Sequence, residues 1–148
     1  MGEIDDDQKG DFHSGDEVER RYTGRTILLM DDEESILEAF GDLLAMRGFE
    51  VLTARNGIEA ISLYRAAMED HKPVDVVILD LIVPGGMGGI ETMKRLKEMD
   101  PRVCALISSG LPQEAVDEYA TSGFAGTMPK PYRWRDLIFA INDALHRK

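Results

Sequence analysis

Asp31-Asp32 closes the apolar run Thr26–Met30, and Asp80 closes the run Val76–Leu79. Ser108-Ser109 follows a third run, Val103–Ile107, and Lys130-Pro131 follows a fourth, Gly123–Met128. Carboxylates crowded at one place repel each other unless a cation neutralises them. Oxygen-only ligands suit a hard divalent ion, and a small incomplete set suits Mg2+, which keeps several of its waters. A cation held there compensates an incoming phosphoryl group. A carboxylate oxygen can itself be the nucleophile in such a transfer, giving an acyl phosphate. The reaction depends on in-line placement and on charge neutralisation of the transferred oxygens. Lys130 offers a fixed positive charge for this, and Ser108 a hydroxyl donor.

Such groups meet only if the elements behind them align. The alternation of apolar patterns predicts strands over 26–30, 50–54, 74–79, 103–107 and 124–128, with helices over 34–47, 57–70, 89–99, 112–122 and 133–146. Ile36, Leu37, Phe40, Leu43 and Leu44 form one stripe of the first helix, and Gly48 stops it. Trp134, Leu137, Ile138, Ile141 and Leu145 repeat that spacing in the last, so Trp134 is read as a packing residue. Five β-α units predict an α/β fold, a parallel sheet with helices on both faces. Right-handed crossovers restrict the topology. A flavodoxin-like (βα)5 sandwich with strand order 2-1-3-4-5 makes strands one and three neighbours, and with them Asp32 and Asp80. All four polar groups then leave the C-terminal edge of the sheet, where open α/β sheets bind ligands.

Taken singly, each piece has an ordinary explanation. Acids at 31–34 are favoured at a helix N-terminus, Ser108-Ser109-Gly110 is a plain loop, and Lys130-Pro131 is a plain turn. Their order on successive units of one sheet argues for a single site. Composition narrows the rest. The 148 residues suit one domain with a real core, and no apolar stretch approaches a membrane span. The net charge of −11 argues against nucleic acid as a direct partner. Residues 1–24 carry −5 of it and read as a flexible acidic leader or linker, with the folded domain over 25–148. The single cysteine, Cys104, reads as a buried thiol, and its solitude fits a reducing cytoplasm. His13, His71 and His146 are scattered, so no transition-metal cluster is expected. The glycines after Pro84 match neither nucleotide-binding pattern.

The segments Leu28-Leu29-Met30-Asp31-Asp32-Glu33, Val77–Gly89, Ile107-Ser108-Ser109-Gly110 and Pro129-Lys130-Pro131-Tyr132 together resemble the receiver domain of two-component response regulators. The resemblance covers roughly residues 25–147. It implies that Asp80 is the phosphoacceptor and that Asp32, supported by Asp31, holds Mg2+ together with Asp80 and the backbone carbonyl of Ile82. It implies that Ser108 bonds one phosphoryl oxygen and Lys130 another, with a cis Lys130-Pro131 bond. The implied donor is a phosphohistidine, on the dimerisation domain of a histidine kinase or on a histidine phosphotransfer protein. The implied output face is helix 112–122, strand 124–128 and helix 133–146. The implied location is cytoplasmic, either free or as the cytoplasmic part of a membrane-bound sensor kinase.

Three positions depart from the family's pattern. Gly85-Gly86-Met87-Gly88-Gly89 makes the loop after Pro84 one residue longer than usual and conformationally permissive. That variant resembles receivers attached to hybrid sensor histidine kinases. Thr127 stands where many receivers keep a switching aromatic residue. Ile82 puts an apolar side chain where some receivers keep a polar one, which predicts slow hydrolysis of the acyl phosphate. Two alternatives stay open on sequence alone. One is a degenerate receiver that only docks proteins. The other is a small aspartyl-phosphate phosphohydrolase, which needs a second acid where Ile82 stands.

Overall fold

The protein, seen in a computed structural model, is described over residues 24–119 and 123–146. Residues 1–23 of the leader, His13 among them, lie outside the described residues, as does the end of the helix expected over 112–122. Strands β1 (Thr26–Met30), β2 (Glu50–Ala54), β3 (Val76–Asp80), β4 (Ala105–Ser109) and β5 (Gly126–Pro129) alternate with helices α1 (Glu34–Met46), α2 (Gly57–Glu69), α3 (Gly89–Met99), α4 (Gln113–Tyr119) and α5 (Trp134–His146). All strand pairs are parallel, in the order β2-β1-β3-β4-β5 expected of the flavodoxin-like sandwich.

Every residue of β1, β3 and β4 is buried, whereas β2 and β5 at the edges are largely not. Both faces of the central strands are covered, so their sequences read as unbroken apolar runs rather than as alternation. Side chains still divide by parity. Ile27, Leu29, Val76 and Ile78 pack with Leu37 and Leu44 of α1 and with Leu137, Ile141 and Leu145 of α5. Leu28, Met30, Val77 and Leu79 pack on the opposite face with Ala60, Ile61 and Tyr64 of α2 and with Met93 and Leu96 of α3. Ile107 packs with Leu81 and Val116 in a smaller cluster under α4.

The last three strands start two residues later than the apolar pattern predicts. Val74 and Val103 are buried beneath the sheet's N-terminal edge, and Phe124 packs half-buried there, without entering strands β3, β4 or β5. Apolarity reports burial, not pairing, so the pattern ran ahead of the strands. The shift carries Asp80, Ser108 and Ser109 into the strands themselves. Trp134 is half-buried, with the Arg47 guanidinium 5.6 Å from its ring centre, a packing role as expected. Cys104 is half-buried rather than buried, and its thiol lies 3.8 Å from the Ala144 carbonyl. Among the described residues no helix is long and apolar enough to cross a membrane.

Candidate phosphoacceptor site

Register places the functional groups before any side chain is considered. Met30 pairs with Leu79, so the next residues, Asp31 and Asp80, leave adjacent strands at the same height. Asp80 pairs with Ser108, and Ser109 with Pro129, which puts Lys130 one step beyond. The Lys130 amide is held by the Ser109 carbonyl at 2.7 Å, and Lys130-Pro131 is a cis bond.

Asp31, Asp32 and Asp80 each offer a carboxylate oxygen, and these atoms lie within 4.8 Å of one another. Asp31 and Asp80 are buried and Asp32 is exposed at the mouth. Lys130 spans the two buried acids. Its Nζ donates to Asp80 Oδ2 at 3.3 Å and stands 2.8 Å from Asp31 Oδ2. The contact to Asp31 is the shorter of the two. Ser108 Oγ and the Tyr132 hydroxyl are buried polar atoms lacking a hydrogen-bond partner. The other oxygen of Asp31 accepts from the Glu33 amide at 2.9 Å, which folds the chain back into α1.

Burial pushes the Asp80 carboxyl up to about 6, with the Asp31 charge adding to the rise and Lys130 opposing it. Burial alone would depress Lys130, but Asp31 and Asp80 outweigh it and raise the ammonium above its ordinary value. A small set of hard oxygen donors in excess over the one lysine is a fit for a divalent cation. The cleft above them encloses about 310 Å3 and is lined by Asp32, Glu33, Asp80, Ile82, Pro84, Ser109, Gly110, Leu111 and Lys130. Ile82 is 53% exposed at its mouth.

The decisive comparison is with a family model. The model of the response regulator receiver domain matches residues 27–142. The chain belongs to the response regulator receiver family. It is 30% identical to the chemotaxis protein CheY of Bacillus subtilis over 122 residues, 81% of this chain and 97% of that protein. It is 34% identical over 124 residues to the CpxR homolog of Haemophilus influenzae, a transcriptional regulatory protein. That alignment takes in 82% of this chain and only 50% of the relative, so the receiver spans about half that regulator's length. Among solved structures, a receiver domain protein from Clostridium thermocellum superposes with a TM-score of 0.71 at 32% identity, over 83% of this chain and 95% of that one.

All the receiver positions singled out in the sequence come to this edge. Asp31, Asp32 and Asp80 bring carboxylate oxygens within 4.8 Å of one another, Lys130 contacts Asp31 and Asp80, Ser108 stands beside Asp80 in the ladder, and Ile82 lines the cleft. Thr127 is exposed on β5, its hydroxyl 3.5 Å from Gln113 Oε1 at the start of α4. The glycine-rich loop corrects the expectation of a permissive segment. Gly85 has φ +73°, which favours glycine, but Gly88 and Gly89 are needed for close approach. A Cβ on Gly89 would come 2.8 Å from the Asp80 carbonyl oxygen, and one on Gly88 would collide with the Leu81 carbonyl. The Gly57 amide ties the loop down through the Met87 carbonyl at 2.9 Å. Two features had no role in the sequence reading. Ser109 Oγ accepts from the Leu111 amide at 2.9 Å and shapes the cleft wall, and the Tyr132 hydroxyl is buried without a hydrogen-bond partner. A serine two residues before an amide it can cap is a visible signal for the first.

Proposed function

We propose that this receiver takes a phosphoryl group onto Asp80 from a phosphohistidine on a partner, with Mg2+ held by Asp31, Asp32, Asp80 and the Ile82 backbone carbonyl. The partner is a histidine kinase dimerisation domain or a histidine phosphotransfer protein. One observation carries the reading: three carboxylates lie within 4.8 Å of one another, and the two buried ones, Asp31 and Asp80, share Lys130. When bound, Mg2+ would relieve the repulsion among the acids and neutralise charge on the transferred oxygens.

The chain's own residues account for the remaining steps. An Asp80 oxygen attacks phosphorus, the bond from phosphorus to the imidazole nitrogen breaks, and the imidazole leaves with the electron pair. Lys130 exchanges its Asp80 contact for a phosphoryl oxygen. The Ser108 hydroxyl, buried without a partner, gains one in another phosphoryl oxygen. The product is a two-state switch in which a new anion biases the position of Ser108 and the β4–α4 connection. Turnover as a phosphohydrolase lacks its second acid, since Ile82 is apolar.

Incubating the protein with acetyl phosphate and MgCl2 tests the reading by intact mass. One phosphoryl adduct per chain is expected, absent in Asp80→Asn and absent in EDTA. An unlabelled wild type, or labelling that survives Asp80→Asn, would overturn it.

A further inference from the structure

Thr92 is fully buried on the first turn of α3, beside the loop that leaves β3. Its hydroxyl donates to the Gly88 carbonyl at 2.7 Å, and its amide donates to the same oxygen at 3.1 Å. The amide bond already closes the first turn of the helix, so the hydroxyl adds little stability. A threonine bonded back to the residue four before it tends to weaken a helix slightly. Valine would fill the same space and spare the desolvation of a hydroxyl. Packing accounts for the shape of Thr92 but not for its oxygen.

The bonds that continue from Gly88 show what that oxygen reaches. The peptide unit joining Gly88 to Gly89 is held at both ends, its carbonyl by Thr92 and its N–H by the Leu81 carbonyl at 3.2 Å. The fit is close, since a Cβ on Gly88 would collide with that same Leu81 oxygen. Leu81 precedes Ile82, and Val83, which follows it, accepts from the Gly86 amide at 3.0 Å. Ile82 therefore lies between two residues whose carbonyls are both tied. Peptide units are rigid planes, so the direction of its own carbonyl follows from theirs. From the other side the loop meets α2. The Gly57 amide donates to the Met87 carbonyl at 2.9 Å, and a Cβ on Gly57 would strike the Thr92 hydroxyl. That hydroxyl also stands 4.0 Å from the sulfur of Met30, the residue before Asp31.

We infer that Thr92 is a positioning residue of the cation site, its hydroxyl pinning the Gly88–Gly89 peptide and through it the Ile82 carbonyl. The inference deepens the Mg2+-dependent reading above and rests on it. Mg2+ demands near-ideal octahedral geometry, so a backbone oxygen serves it only when held in the right direction. Four glycines among residues 85–89 would otherwise leave the loop free to wander. Thr92 fixes it without touching the cation. Groups that orient a metal ligand from behind act on metal affinity more than on the fold.

The test compares the full chain with Thr92→Val, which keeps the shape and removes the donor, and with Thr92→Ser, which keeps the donor and removes a methyl group. Thermal melts in EDTA read the fold, amide hydrogen exchange in EDTA reads the loop, and calorimetric titration with MgCl2 reads the site. Thr92→Val is expected to melt close to wild type in EDTA, to exchange the Gly86 and Gly89 amides faster, and to bind Mg2+ roughly tenfold more weakly. Thr92→Ser should melt lower, for its lost methyl group, yet keep the wild-type Mg2+ affinity. Opposite ranking of the two variants in stability and in affinity is the signature of positioning. Equal Mg2+ affinity in wild type and Thr92→Val overturns the inference. So does a loss of affinity in both variants that tracks their melting temperatures, which would make Thr92 a structural residue of the core. A wild type that neither binds Mg2+ nor takes a phosphoryl group from acetyl phosphate sinks the phosphoacceptor reading instead, and this inference with it.

Discussion

Asp80 and Ser108 face each other across the β3–β4 ladder, and the Ser108 hydroxyl has no partner there. The serine is thus placed for an anion that the unmodified protein does not contain. Ser108→Ala removes a buried hydroxyl that makes no bond, so unfolding in urea should shift by less than about 1 kcal/mol. Asp80 should still label with acetyl phosphate. What should be lost is the response to labelling, read as smaller amide shifts in α4 and β5 by NMR. A full wild-type response in the variant would remove Ser108 from the switch.

The buried carboxyl of Asp80 makes a pH prediction with a definite sign. Its pKa rises from 3.8 to about 6 on folding, so the folded state prefers the protonated form. The stability this contributes is fully present below pH 4 and is lost as pH rises through 6. Asp80→Asn mimics the protonated form at every pH. It should be more stable than wild type at pH 7.5 by roughly 1–3 kcal/mol, with the gap closing toward pH 4. Denaturant melts across that range, in EDTA, measure it. A gap that widens on acidification would contradict the burial argument.

Lys130 holds its ammonium against two buried acids, 2.8 Å from Asp31 and 3.3 Å from Asp80. Lys130→Met keeps the aliphatic stem and leaves both carboxylates uncompensated, which should destabilise the metal-free protein by about 3 kcal/mol. Added Mg2+ should restore more of the lost stability in the variant than it adds to wild type. Melting temperatures with and without MgCl2 give both numbers. Equal Mg2+ responses would mean that lysine and cation do not share the same acids.

Gly89 backs onto β3 so tightly that a methyl group would crowd the Asp80 carbonyl. Gly89→Ala should therefore destabilise by about 1–3 kcal/mol. Gly110, whose Cβ would meet nothing, should accept alanine with little change. Parallel melts of the two variants separate close approach from general glycine flexibility.

What could be read from the sequence follows what burial writes into it. β1 and β3 are covered on both faces, so Ile27–Met30 and Val76–Leu79 appear as apolar runs whose ends are unmistakable, and the acids behind them follow. Val74, Val103 and Phe124 are apolar for packing outside the ladder, and nothing in their types separates them from strand residues. The glycines at 85, 88 and 89 look alike in the sequence, yet one serves a positive φ, one close approach to Leu81 just past β3, and one close approach to β3 itself. Lys130 bridging Asp31 as well as Asp80 depends on three strands meeting at one height. That relationship exists only once the register is set.

Ile82 stands two residues past Asp80, half exposed at the mouth of the cleft beside Pro84 and Leu111. Water that hydrolyses an acyl phosphate must approach through this mouth and be aligned opposite the bond to Asp80. An aliphatic side chain offers no hydrogen bond to hold that water and excludes part of its path. Ile82→Asn supplies both a donor and an acceptor at the same point. With labelled protein freed of acetyl phosphate, the adduct should decay severalfold faster in the variant, since a side chain that positions the attacking water accelerates such a step. Decay at an equal or slower rate would show that the mouth residue does not govern access, and would place control of the lifetime on Lys130 and Ser108.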